Sequence, residues 1–424
     1  MMVRGNSVNK SLKGVQSTLF AQQTPPVSHK NSHLIDKQMK RFLSHFKGFW
    51  IQRKRSIIQE AVKCTRTPIK YHIQDYYYVL RFIGNLPKEI KYRKSKNLRL
   101  VPKGKVLLAL SSNEPIIMST IPIIYSLLAG NQVYVSPSSQ NYSIVKMILS
   151  IMIKAGVNKG QMSILKIKKK KISQTLKNLD INCVFWFGSS NVISKVSQEI
   201  PMPFVEFIPE AEGNDLCYVD ERVNYPQVAK IIINSLVTHN GQVCNAIKGV
   251  LVHKNSWRTI VNEIVQKFDS IRMGPCFDIN TDCSGDTSLN AFLVEKKRQI
   301  AGPRTKVLSK SNNMPFIIVN PKMNRTCLEM SSFGSLIWVH KVNSISEANR
   351  LIARSRHGLG FTVFSDDPQS LKLIKSDAGR ISVNEDPLEV SPFSPWGGLK
   401  LSGNSGPDFW LEKFSNRQYI TGGI

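Results

Sequence analysis

The chain has 424 residues, 42% of them apolar, with 25 Gly and 21 Pro, which is long enough for two or three domains and mixed enough to fold. No uninterrupted apolar stretch reaches the roughly 18–20 residues of a membrane helix, so no membrane partner is read from the sequence. The formal net charge of +29 makes polyanions physically admissible partners, but no recognisable nucleic-acid module accompanies it, and nucleic acid is not expected as a partner.

Residues 1–35 carry Arg4, Lys10, Lys13 and Lys30 with no acidic residue before Asp36, and read as a disordered or targeting tail. From Asp36 to Ile83 the spacing of Phe42, Phe46, Trp50, Ile57, Ile58 and Val62 predicts amphipathic helices, ending at the turn signal Gly84-Asn85-Leu86-Pro87. From Lys105 short β-type runs alternate with helical stretches. Strands are predicted at Val106–Leu110, Val133–Val135, Met162–Ile167 and Cys183–Phe187, with helices through Leu127–Leu128, over Tyr142–Ile153 and over Asn191–Ile200.

The second half repeats the rhythm. Helices are predicted over Pro226–Val237, Trp257–Phe268 and Ile345–Ala353, and strands at Ile247–Val252, Phe316–Val319, Leu336–His340, Phe361–Phe364 and Arg380–Asn384. Alternation of this kind implies an α/β fold of two Rossmann-like domains with mainly parallel sheets. The reading divides the chain into N-terminal helices plus a cofactor-binding domain (36–209), a catalytic domain (210–404) and a C-terminal tail (405–424). Within the first domain, Pro115 to Leu179 has no acidic residue and nine lysines, including Lys168–Lys171. This is a solvated basic face or a surface that attracts phosphate.

Seven cysteines, odd in number and scattered without a CxxC pair, fit reduced thiols in a cytoplasmic setting, with the mitochondrial matrix as the alternative; no metal site is read from them. Taken alone, Cys244 reads as a small buried apolar side chain. Its setting differs, because it follows Asn240-Gly241 on a loop that backbone N–H groups and solvent can approach.

The segment HNGQVCNAIKGVLVHKN resembles the nucleophile segment of the aldehyde dehydrogenase superfamily. FIPEAEGNDLCYV (207–219) resembles that family's Glu-x-Gly-Gly-Asn/Lys segment and places Glu210 34 residues before Cys244. ALSSNEP (109–115), LLAGNQVYVSPSS (127–139), SSFGSL (331–336), HGLGFTVFSDD (357–367), AGRISVN (378–384) and PWGGLKLSG (395–403) follow in the family's order. The chain is thus similar to a divergent and shortened member of the family.

The resemblance implies oxidation of an aldehyde through a thiohemiacetal and a thioester, with hydride transfer to NAD or NADP. In that scheme Cys244 is the nucleophile, the Asn113 amide an oxyanion donor and Glu210 the base that activates water. Cofactor contacts would come from Ser136, Ser139, Gly188, Ser189 and Phe333, and a homodimer or higher oligomer is the family expectation. Departures cluster on the cofactor. Ser136 replaces a Lys, Ser139 a Glu, Ile193 a Gly and Ser331 a Glu, while Ser112 and Glu114 flank Asn113 where a Trp and an apolar residue are usual. The uncharged Ser139 tilts the reading towards NADP. A catalytically weak pseudoenzyme or binding protein, and an acyl-CoA or acyl-thioester reductase, remain the alternatives.

Overall fold

The computed structural model describes residues 32–91, 98–167, 172–200, 203–285, 290–310, 314–419 and 421. The tail 1–35 lies almost wholly outside the described residues, as does the lysine run Lys168–Lys171. Among the described residues no helix is long and apolar enough to cross a membrane.

Three helices, Ser32–Gln52, Lys54–Thr65 and Ile69–Lys91, open the chain. Their apolar stripes converge: Trp50 stacks on Tyr76 at 5.5 Å, and Phe46, Ile57, Val79 and Phe82 share one buried cluster. The third helix does not end at Gly84-Asn85-Leu86-Pro87, as its turn residues predict, but continues to Lys91 with Pro87 inside it. Burial of Phe82, Ile83 and Leu86 outweighs the hydrogen bond that Pro87 removes, a case of tertiary packing overriding local propensity.

The first sheet has five parallel strands in the order Met162–Ile164, Gln132–Ser136, Lys105–Ala109, Cys183–Gly188, Glu206–Ala211. The chain moves outward to one side from Lys105–Ala109, then returns to build the other side. The strand order therefore reverses between Lys105–Ala109 and Cys183–Gly188. A crevice opens beyond the carboxyl ends of strands at such a point, and ligands bind there in open α/β sheets.

The second sheet has seven strands in the order Arg380–Val383, Gly360–Phe364, Asp215–Val219, Ile247–His253, Leu336–Val342, Phe316–Val319, Lys306–Ser309. All pairs are parallel except the last, which is antiparallel. Sheets covered on both faces read as near-continuous apolar runs, and Ile247–His253 is buried at every position. Gly249 has a packing reason to be Gly, since a Cβ there would come within 2.1 Å of the Trp338 ring.

Two boundaries differ from the sequence reading. The cut at 209/210 falls inside the strand Glu206–Ala211, because a strand of the first sheet leads directly into the loop that starts the second. The segment read as a tail instead forms a short helix, Trp410–Lys413, and a strand, Ser415–Tyr419, paired antiparallel with Leu98–Pro102. Phe414 is fully buried against Phe185, with ring centroids 4.2 Å apart. The C-terminal segment thus completes the core of the first domain.

Candidate active site

A cavity of about 1980 Å³ lies between the carboxyl ends of the first sheet's strands and the loops that enter the second sheet. Cys244, Asn113, Glu210, Gly188, Ser189 and Phe333 all lie on its wall. Six sequence candidates, far apart in the chain, therefore face one space. Ser136 and Ser139 do not line it: Ser139 is exposed, and its neighbour Gln140 reaches the wall instead.

Cys244 is delivered by an unusual turn. His239, Asn240 and Gly241 have φ of 49°, 56° and 67° in succession, a left-handed stretch that costs free energy at the two non-glycine positions. Its surroundings hold it there. Asn240 Nδ2 donates to Ser284 Oγ at 2.9 Å, and Ser284 N–H donates back to Asn240 Oδ1 at 2.9 Å. The Gly241 carbonyl accepts from Gly334 N–H at 3.0 Å and from the buried Lys248 ammonium. Gly241 tolerates no side chain, because a Cβ would lie 2.4 Å from the Gly334 carbonyl oxygen. Lys248 also reaches the Gly334 carbonyl, and burial lowers its pKa to about 7. It braces the turn before Cys244 against the 331–335 loop.

The electrostatics of the thiol disfavour the thiolate. Burial raises the Cys244 pKa well above the usual thiol range, and the carboxylates of Glu114, Asp215 and Glu210 raise it further. The Asn245 backbone N–H favours the thiolate but does not offset these. Cys244 is thus a neutral thiol in this state, and its nucleophilic form needs a base. Glu114, in the left-handed region at φ 46°, lies on the cavity wall. Burial and the nearby Asp75 push its pKa up to about 7. Glu114→Gln is therefore expected to speed alkylation of Cys244 above about pH 7, where the native carboxylate is ionised and opposes the thiolate. Below that pH the two proteins should react alike. Equal iodoacetamide rates across the whole range would show that Glu114 does not act on the thiol.

Asn113 donates through Nδ2 to Glu114 Oε2 at 3.1 Å, which leaves one of its two amide N–H bonds free for an oxyanion. Glu210 is buried and accepts from Lys413 Nζ at 2.6 Å, while its second oxygen has no hydrogen-bond partner. Burial raises its pKa and the Lys413 charge opposes the rise. The sequence reading missed Lys413, which lies 203 residues along the chain in the segment read as a tail.

It also missed Glu212. The helix Ser190–Ser197 starts at the crevice, with Ser189 as its N-cap. A helix N-terminus of this kind offers backbone N–H groups to an anion. Glu212 already holds that place: its Oε2 accepts from Ser190 N–H at 2.7 Å and its Oε1 from the Ser190 hydroxyl at 2.9 Å. The signal was present in the sequence, since Glu212 stands where the segment Glu-x-Gly-Gly-Asn/Lys has its first Gly. Of the other departures, Ile193 is buried in a cluster with Leu107, Trp186 and Ala211, so its bulk goes into the core. Ser331 donates to the Gly213 carbonyl at 2.6 Å.

The sequence profile described as "Aldehyde dehydrogenase family" matches residues 49–419. The chain belongs to that family. Among curated relatives it is 27% identical over 315 residues to an NADP-dependent glyceraldehyde-3-phosphate dehydrogenase of Apium graveolens, covering 72% of this chain and 62% of the relative. It is 25% identical over 332 residues to a 3-sulfolactaldehyde dehydrogenase of Priestia aryabhattai, covering 76% and 69%. The chain therefore spans less than two thirds of the length of the first of these. Among solved structures, a 3,6-anhydro-L-galactose dehydrogenase superposes with a TM-score of 0.81 at 20% identity, over 91% of this chain and 87% of that one. The glyceraldehyde-3-phosphate dehydrogenase of Methanocaldococcus jannaschii gives 0.80 at 18%, over 92% and 91%. Aldehyde dehydrogenase family members thus share this fold across most of the chain.

Proposed function

We propose that the chain oxidises an aldehyde to a carboxylic acid with NAD or NADP as hydride acceptor, using Cys244 as nucleophile. The observation that supports this best is the convergence of Cys244, Asn113 and Glu210 on one cavity wall at the strand reversal of the first sheet. The crevice fits a dinucleotide. It is larger than the roughly 300–1,000 Å³ of most ligand pockets, and Gly188 and the start of the Ser190–Ser197 helix border it.

In this reading the Cys244 sulfur adds to the carbonyl carbon, and its proton passes to a carboxylate on the cavity wall. The free Asn113 N–H meets the oxyanion that forms. A bound nicotinamide supplies the hydride acceptor that makes the adduct a thioester. Glu210, held by Lys413 through one oxygen, takes a proton from water through the other, and that water hydrolyses the thioester. A carboxylate buried for activating water favours hydrolysis over an acyl-CoA reductase role. NADP is the form named for the Apium graveolens relative, and it is the form this reading favours. The test is an assay of an aldehyde panel with both cofactors; no NAD(P)H from any aldehyde would sink the proposal.

Glu212 favours a second reading, in which cofactor binding is weak. A phosphate near Ser190 must displace or repel a resident carboxylate. Glu212→Ala is therefore expected to tighten NADP binding by about tenfold, roughly 1.4 kcal/mol, in calorimetry. Unchanged affinity would mean that the cofactor phosphates do not approach this helix.

A further inference from the structure

The first helical segments meet the nucleophile turn at a cluster of buried ligand-type side chains that the aldehyde chemistry does not use. His72 and Asp75 lie one turn apart on the helix Ile69–Lys91, and His239 comes from the strained turn before Cys244. All three are buried, His72 completely.

Threonine hydroxyls surround the outer edges of both rings. Thr65 Oγ1 donates to the Ala61 carbonyl at 2.9 Å and lies 2.9 Å from both Thr67 Oγ1 and His72 Nε2. Thr67 Oγ1 lies 2.8 Å from His72 Nε2 and 3.2 Å from His239 Nδ1. The other ring nitrogens, His72 Nδ1 and His239 Nε2, face Asp75 Oδ2 at 3.8 and 3.2 Å. A proton on His239 Nε2 satisfies the His239 and Asp75 pair, but His72 Nδ1 stays buried without a hydrogen-bond partner.

We infer that His72, Asp75 and His239 form a binding site for a divalent transition metal of the zinc type. Zinc bound at about 2.0–2.1 Å in tetrahedral geometry puts neighbouring ligand atoms about 3.3 Å apart, and the three atoms here all lie within 4.8 Å of one another. Two imidazoles and one carboxylate match ligand preferences for zinc, and Thr67 provides the outer-shell acceptor that orients metal-binding histidines. Asp75 and His239 border the cavity, so the fourth coordination position opens towards it for water or another oxygen ligand. The sequence shows no such motif because His239 comes 164 residues after Asp75.

The experiment is a titration of chelator-treated, full-length protein with Co²⁺ and then Zn²⁺. One equivalent of Co²⁺ should give a visible d–d band, without thiolate charge transfer, that Zn²⁺ abolishes. Thr67→Val should weaken Co²⁺ binding by about 10–100-fold, and Asp75→Asn and His72→Gln by more, with circular dichroism reporting on folding. X-ray absorption of the zinc-loaded native protein keeps the test independent of the variants: two imidazoles with an oxygen ligand support the site. No uptake by the native chain, a sulfur-rich shell, or undiminished uptake by a folded Asp75→Asn protein would overturn it.

Discussion

Cys244→Ala is expected to abolish aldehyde-dependent NAD(P)H formation, a loss on the order of 10⁴-fold or more, as befits removal of a nucleophile whose helpers cannot act without it. The side chain contributes little to the fold. Its Sγ reaches Asn245 Oδ1 only at 4.0 Å, so the variant should melt close to the native protein. A parallel Cys64→Ala control is needed, because Cys64 also borders the cavity. Its thiol sits 3.4 Å from Ser143 Oγ, and burial raises its pKa. Activity that survives Cys244→Ala and disappears in Cys64→Ala would move the nucleophile and with it the proposed mechanism. Mass spectrometry of the native enzyme stopped during turnover should find the acyl adduct on Cys244.

Lys413→Met is expected to give the largest loss of stability, about 3–5 kcal/mol, the usual result of stripping a buried ion pair of one partner. The ammonium and the Glu210 carboxylate are 2.6 Å apart, with side-chain exposures of 2% and 4%. A carboxylate left alone in that place has little access to water and would take up a proton. The variant should therefore lose hydrolysis of the thioester as well as stability, and should accumulate acyl-enzyme. Adding Glu210→Gln to Lys413→Met removes the uncompensated charge and should recover much of the stability while leaving deacylation slow. Thermal melts of the two single variants and the double variant measure this coupling. If Lys413→Met melts like the native protein and deacylates normally, the pair has no role in the site.

Much of the architecture was legible in the sequence because the sheets are buried on both faces. Cys183–Phe187 is apolar throughout and Ile247–Val252 is so apart from Lys248 and Gly249, and the helices between them keep their own period. What misled the reading were places where local and tertiary preferences conflict. Gly84 and Pro87 carry a turn signal, yet the apolar stripe of Phe82, Ile83 and Leu86 holds the helix together. The final segment is short and largely polar after Phe414, but Trp410 and Phe414 fill the space beside Phe185 and Phe187.

The sequence alone determined the family of this protein, its α/β class and the set of residues, Cys244, Asn113 and Glu210, that share one cavity. Those follow from motif order, apolar periodicity and spacing, all of which are properties of neighbours along the chain. The tertiary structure decided the electrostatic surroundings of these groups. Glu210 meets Lys413, the helix start at Ser190 already holds Glu212, and burial, with carboxylates nearby, raises the pKa of the Cys244 thiol. The physical reason is that a pKa or an anion site depends on burial and on charges within a few ångströms, and folding brings those together from distant parts of the chain.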